Sequence, residues 1–474
     1  MTRAGPWLFA LAVFVIHAIS PLHTQTDSQW SIPVALSLLH HGDATLDEYQ
    51  RALELSQHGV DERGGHFYNT FPLGPSLVAL PFVALAELVP SERWQTHAHA
   101  EAELKVAFFD TTEVLVGSVC VALSTALMLL IIRARATHRL TPWLGAFVLA
   151  FASPAWSTAS RGLWQHAPAM LFLTLALWAW LGARPLVLGL SLAAAFTCRP
   201  TTAIPIVVIA VAMVASREQR RRLGWVTLGA LVVGLPWLAM NRSMWGEWLA
   251  PYYLPSRLET SGSLFFEALL GNLFSAGRGL LIFCPVIILI FRPGARGAGT
   301  PGESRGHPFR PEPVEGATSS ELGSVHQALS VHGHASTGSA RTGFALDSNF
   351  NQPSPGDRGY PKTTAVCFTV LLLHWVAISR FPHWWAGHSF GPRLFTELTP
   401  FWVLLLVPWL DSLFSQKRWL RAPGLITAAL IICTVSIHAR GALSKRPWLW
   451  NTVPVNIDDS PARVWDFGDL QFLR

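Results

Sequence analysis

The chemistry open to this chain rests on a few ionisable side chains that stand beside long apolar runs. Asp27 follows the first run. Arg161 and His166 lie between two later ones, and Arg199 sits in a Cys-Arg-Pro turn between two more. His383, His388, Arg393 and Glu397 gather around the start of another. An ionisable group at or inside a membrane span is costly and usually faces a cavity or a partner. One acid with several arginines suits group transfer from a lipid phosphate to a hydroxyl. The carboxylate takes the acceptor's proton, and Arg holds the departing phosphate with a bidentate fork. A phosphate leaving group is weakly basic, so no strong general acid is required. A polyprenyl tail on the donor would explain a bilayer location.

Each residue also has a plainer reading. Asp27 could be an exposed loop acid or the N-cap of a helix from Ser28. Arg199 and Arg161 could snorkel to the headgroups, and Arg393, close to Trp384 and Trp385, could anchor at the interface. His383 and His388 are five apart with Gly387 between them, whereas a metal pair on a helix wants three or four. A loop with a hydrogen-bonding role is expected there, and no metal ligand set is assigned. His166 reads as a polar residue at a helix start or as part of a site. Glu397 is expected neutral or paired, with Arg393 one helical turn away.

The elements that position these groups are expected to be membrane helices. Of 474 residues, 51% are hydrophobic and 14% charged, against about 25% charged in an ordinary soluble protein. Mean hydropathy is +0.35. These values argue against a soluble enzyme, a disordered chain and a nucleic-acid binder. The net charge, 35 − 29 = +6, comes in short clusters between apolar runs, such as Arg133-Ala134-Arg135 and Arg217 to Arg222. Such clusters mark cytoplasmic loops, and the 21 Trp suit headgroup layers. Cys120, Cys198, Cys284, Cys367 and Cys433 form no CxxC pair and read as buried thiols.

The fold class expected is an all-α polytopic membrane protein with about eleven transmembrane helices and a long first periplasmic loop, 23–111, carrying juxtamembrane helices. Pro6 to Leu22 reads as an uncleaved first span with its N-terminus inside. Phe71 to Val89, broken by Pro72, Pro75 and Pro81, reads as re-entrant or surface-lying. Further spans are expected over 112–132, 142–157, 168–182, 223–240, 280–291, 363–379, 394–413 and 425–438. Residues 186–198 and 201–215 form a short hairpin tipped by Arg199-Pro200. This alternation puts the basic clusters on one side and the C-terminus outside, in a bacterial inner membrane. The chain then divides into a transmembrane module over 1–292, a cytoplasmic insert over 293–362, further helices over 363–439 and a periplasmic tail over 440–474. The insert is rich in Pro, Gly, Ser, Thr, Arg and His without helical or strand period, and it is expected to be disordered.

Several short stretches carry a family likeness. They are Thr26-Asp27-Ser28, the run Tyr68-Asn69-Thr70-Phe71-Pro72-Leu73-Gly74-Pro75, Arg161-Gly162-Leu163-Trp164-Gln165-His166, Thr197-Cys198-Arg199-Pro200, and Trp384-Trp385 through Pro392-Arg393. With the C-terminal Arg463-Val464-Trp465-Asp466-Phe467 and Gln471-Phe472-Leu473-Arg474, the chain resembles bacterial members of the GT-C superfamily of membrane glycosyltransferases, of the protein mannosyltransferase and aminoarabinose transferase type. The likeness covers most of the chain outside Pro293–Lys362. It implies inverting transfer of a sugar from a polyprenyl-phosphate donor to a hydroxyl of a lipid, glycan or protein at the periplasmic face. Asp27 would be the general base and Arg199 and Arg393 the phosphate holders, with Arg161 a further donor-binding candidate. His166, His383, His388 and Glu397 are further pocket candidates. Many members carry paired acids in the first loop, whereas Asp27 stands alone here. A divalent cation stays open as a cofactor. The alternative is a flippase or permease for a lipid-linked or amphipathic solute, for which internal repeats and mid-bilayer charges would be the signs. No internal repeat is seen.

Overall fold

Proline placement accounts for much of how this chain divides into helices. The computed structural model describes residues 4–24, 27–88, 107–258, 262–292 and 360–474. Among these residues are thirteen α-helices of ten or more residues. They are α1 (Gly5–Ala18), α2 (Ser31–His40), α3 (Gly74–Glu87), α4 (Ala107–Arg133), α5 (Thr141–Phe151), α6 (His166–Leu181) and α7 (Pro185–Cys198). The rest are α8 (Ala203–Ala215), α9 (Leu223–Trp245), α10 (Gly262–Phe274), α11 (Tyr360–Ile378), α12 (Thr399–Ser415) and α13 (Ala422–Leu443). Proline stands in the first turn of α1, α5, α7, α12 and α13, where its missing N–H has no intrahelical partner to lose.

Four segments are long and apolar enough to cross a membrane: Phe109–Arg133, Leu223–Trp245, Arg393–Ser415 and Ala422–Leu443. A helix of 25 residues is about 38 Å long, beyond the roughly 30 Å of a hydrocarbon core. The first and third are mainly buried, and the second is mainly exposed. On α9, Trp225, Leu228, Leu231, Val232 and Leu235 all face outward, a surface that suits hydrocarbon better than water. Residues Phe401 to Val407 of α12 are buried throughout and form the middle of the largest apolar cluster.

Other expected spans are shorter or interrupted. The run over 142–157 ends as α-helix at Phe151, and Ala155–Ala159 form a π-turn after Pro154, which cannot donate to the helical ladder. The run over 280–291 splits at Pro285 into one α-turn, Leu280–Phe283, and a 3-10 stretch, Pro285–Phe291. The run from 394 opens as 3-10 helix, Arg393–Leu398, before α12. Helix α3 falls within 71–89. At fourteen residues it is about 21 Å long, and it packs against α2, α4 and α7.

Residues 23–70, expected to be a polar loop, contain α2 and a small hairpin. Ile32, Val34, Ala35 and Leu36 of α2 are buried. Strands β1 (Val60–Arg63) and β2 (His66–Asn69) pair antiparallel around Gly64-Gly65, both with positive φ, as a two-residue hairpin turn requires. The hairpin, with an isolated antiparallel bridge between Thr45 and Tyr68, departs from an all-α description. Helix α10 was also absent from the expected spans. The 440–474 segment folds back, burying Trp450, Ile457 and Val464 against Trp384 and Trp385. The expected insert lies outside the described residues, apart from its last three positions, where α11 begins.

Helices α7 and α9 approach at backbone distance. A Cβ on Gly189 would lie 1.9 Å from the Val226 carbonyl oxygen, and one on Gly229 2.3 Å from that of Leu186. Small residues permit this contact between apolar helices, and it holds α7 with Arg199 at its end.

Candidate functional site

Asp27 sits just before α2 and meets two partners. Its Oδ2 accepts from Arg393 Nη1 at 2.9 Å, and its Oδ1 lies 3.3 Å from His58 Nε2. Burial pushes the Asp27 carboxyl up, but Arg393 first and His58 next outweigh it and hold the group down at about 2. The hydrogen bond to Asp27 raises His58 above its ordinary value. Arg393 enters from the opposite end of the sequence. The turn before it has Gly391 at φ +58°, a conformation that favours glycine. The guanidinium carbon of Arg393 lies 4.2 Å from the centre of the Trp164 ring, within cation–π range. Its Nε is buried without a hydrogen-bond partner.

Glu397 forms a second layer and is fully buried. Its Oε1 lies 2.5 Å from Arg199 Nε and accepts from Thr201 Oγ1 at 3.1 Å. Its Oε2 lies 2.8 Å from His166 Nδ1, and His374 Nε2 is 3.8 Å from Oε1. The expected Arg393–Glu397 pair is not formed. Residues 393–398 are 3-10 helix, in which positions four apart point about 120° from each other. Glu397 pairs with Arg199 and His166 instead. Arg199 is presented by extended backbone between α7 and the 3-10 turn Pro200–Thr202. Its Nε also donates to Thr201 Oγ1 at 3.0 Å, and neither Nη bonds to a described residue. Asp27 interacts electrostatically with Arg393 and His166, and Arg199 with His166 and Arg393. The structure therefore brings together Asp27, His166, Arg199 and the pair Arg393 and Glu397 from four separate parts of the sequence.

Arg161 is placed elsewhere and given other work. Its Nη1 donates to the carbonyls of Ser20 (2.7 Å) and Leu22 (3.2 Å), and its Nη2 to that of His17 and to Ser160 Oγ. Both terminal nitrogens are thus occupied by the end of α1, so Arg161 fastens that end and has no free fork for a phosphate. His388 Nε2 lies 2.9 Å from Asn456 Oδ1 and 3.6 Å from Asp458 Oδ2. His383 is exposed with its ring tilted on Trp385. His388 thus meets the C-terminal segment, and neither histidine bonds to the Asp27 cluster among the described residues. Among the described residues no group of three or more His, Cys, Asp or Glu is placed to hold a metal ion.

Sequence reasoning missed Glu113, Arg278, Gln471 and the partners His58 and Trp164. Fully buried Arg278 donates to the carbonyls of Trp385 (2.6 Å) and Gly387 (2.9 Å), to Asn451 Oδ1 (2.7 Å) and to Gln471 Oε1 (3.0 Å). Gln471 Oε1 accepts from Gly391 N at 3.1 Å, and its Nε2 donates to the Ser389 carbonyl at 2.8 Å. The signal for Glu113 and Arg278 was available, since each is a charge within or beside an apolar run. Gln471 and Trp164 stood within the stretches that carry the family likeness but had no site role assigned. Buried arginines differ here at their terminal nitrogens: Arg161, whose Nε alone lacks a partner, and Arg278 are bonded at both, whereas Arg393 bonds through Nη1 only and Arg199 through Nε only. No family model, curated protein or solved structure matches this chain.

Proposed function

We propose that the chain is an inverting glycosyltransferase that moves a sugar from a polyprenyl-phosphate donor to a hydroxyl acceptor. In this reading about eleven spans cross a bacterial inner membrane, with the N-terminus inside and the Asp27 end of the bundle at the periplasmic face. The observation that carries the reading is the unfilled bonding capacity of Arg393 and Arg199 beside an ionised Asp27. The phosphate of the donor takes the free guanidinium edges. Asp27 accepts the proton of the acceptor hydroxyl as its oxygen attacks the anomeric carbon from the face opposite the phosphate. The carbon–oxygen bond to phosphate breaks, and the polyprenyl phosphate leaves bound to the arginines. Glu397 holds Arg199 in register from below, and Trp164 supports Arg393.

The test is mass spectrometry of envelope lipids and glycans from a strain lacking the gene. Wild-type protein restores a missing sugar. Asp27→Asn, expressed to the same level, restores less than about a thousandth of it. Restoration by Asp27→Asn at the wild-type level would remove Asp27 as the base. The buried Glu397, His166 and His374 group favours a second reading, a proton-linked carrier of a lipid-linked sugar. In that case reconstituted vesicles move the lipid-linked sugar across the membrane with no covalent product.

A further inference from the structure

Glu113 stands in the second turn of α4, inside a stretch otherwise suited to hydrocarbon, and is fully buried. Its Oε2 accepts two bonds, from Ser28 Oγ at 2.5 Å and from Leu163 N at 2.9 Å. Ser28 is covalently next to Asp27. Leu163 is next to Trp164, whose ring supports Arg393. The indole N–H of Trp164 in turn donates to the Thr24 carbonyl at 2.9 Å, tying the same two segments a second time. Residues 27–30 are a turn, and Gly162 to Trp164 are irregular. Neither has a ladder of its own, and a buried carboxyl on a long helix supplies a rigid point for both. An apolar side chain would suit α4 better, so the acid at 113 is explained by the two donors it accepts.

We propose that Glu113 is a positioning residue for glycosyl transfer, setting Asp27 through Ser28 and Arg393 through Leu163 and Trp164. The proposal rests on the transferase reading above. The experiment uses full-length protein in nanodiscs, with undecaprenyl phosphate as the binding probe and sugar restoration in the deletion strain as the transfer readout. Glu113→Ala should weaken probe binding about tenfold and transfer about a hundredfold, since small misplacements of reacting groups have effects of that size. Glu113→Gln should keep both within about threefold, because its amide oxygen can accept the same two bonds. Ser28→Ala severs only the Asp27 side. It should leave probe affinity within about twofold while transfer falls at least tenfold.

That split between binding and transfer is not expected of a residue that merely stabilises the fold. Folded Glu113→Ala with wild-type affinity and transfer would overturn the proposal, as would equal losses of both in Ser28→Ala. If Glu113→Ala does not fold, Glu113→Gln and Ser28→Ala decide the matter. If wild-type protein binds the probe but restores no sugar, the transferase reading falls. The affinities of Glu113→Ala and Glu113→Gln then still judge Glu113: weak binding rescued by Gln supports positioning, and unchanged binding overturns it.

Discussion

Asp27 and Arg393 pair 2.9 Å apart, so in the proposed transferase a donor phosphate would compete with the carboxylate for the guanidinium. Asp27→Asn is therefore expected to bind undecaprenyl phosphate about three- to tenfold more tightly than wild type while its transfer falls at least about a thousandfold. Unchanged or weaker affinity, measured by native mass spectrometry, would show that the pair does not restrain Arg393. In the proposed transferase, a phosphate that draws Arg393 away would return basicity to Asp27. The pH behaviour follows from the same contacts. Asp27, at about 2 when folded, lies below its unfolded value, so the stability it contributes is complete above about pH 4 and is lost as pH falls through 2. The free site should thus show no acid limb from Asp27 in the ordinary assay range. His58 is raised, so its support is complete below its unfolded value near 6.5 and is lost as pH rises through the higher folded one. His58→Gln should abolish that alkaline limb in the pH profile of transfer. A limb that survives the substitution belongs to another group.

The loop that leads into the 3-10 turn of Arg393, residues 385–391, is held by Arg278 and the C-terminal segment. Gln471 bonds the loop at Ser389 and Gly391, two residues before Arg393. Gln471→Ala strands a buried carbonyl and a buried N–H, which costs about 1–3 kcal/mol for each unmade bond. A lower Tm together with weaker undecaprenyl phosphate binding is expected. An unchanged Tm and affinity would mean that the loop stands without the tail. Much of the local structure was legible because its signals are local. Pro6, Pro142, Pro185, Pro400 and Pro423 mark helix starts, and long apolar runs gave the positions of α4, α9 and α13. The split runs at Pro154 and Pro285 were also marked by proline, but hydropathy averaged over a window hides them. Helix α2 was hidden by its polar flanks, and it is a helix because Trp30, Ile32 and Val34 have a partner surface to pack on.

At the scale of the whole molecule the helices are held by close backbone contact as well as by side-chain burial. Gly189 faces the Val226 carbonyl, whereas Gly224, on the same partner helix α9, has open space where a Cβ would stand. Gly189→Ala should lower Tm, with overpacking costing about 1–3 kcal/mol. Gly224→Ala should hold or raise it, since Ala favours helix by about 1 kcal/mol. Equal effects, measured by thermal scans in one detergent, would refute the contact between α7 and α9. The sequence by itself determined that the chain is helical and carries segments long and apolar enough to cross a membrane, because run length and proline position are properties of neighbouring residues. It also pointed to Asp27, Arg199 and Arg393, because charges beside apolar runs are few. Only the tertiary structure decided which arginine has donors to offer. Arg161 and Arg393 look alike in sequence, each a cation near tryptophan. One is closed by carbonyls more than a hundred residues distant, and the other meets a single carboxylate from the far end of the chain. Hydrogen-bond saturation belongs to the folded neighbourhood, and no local pattern encodes it.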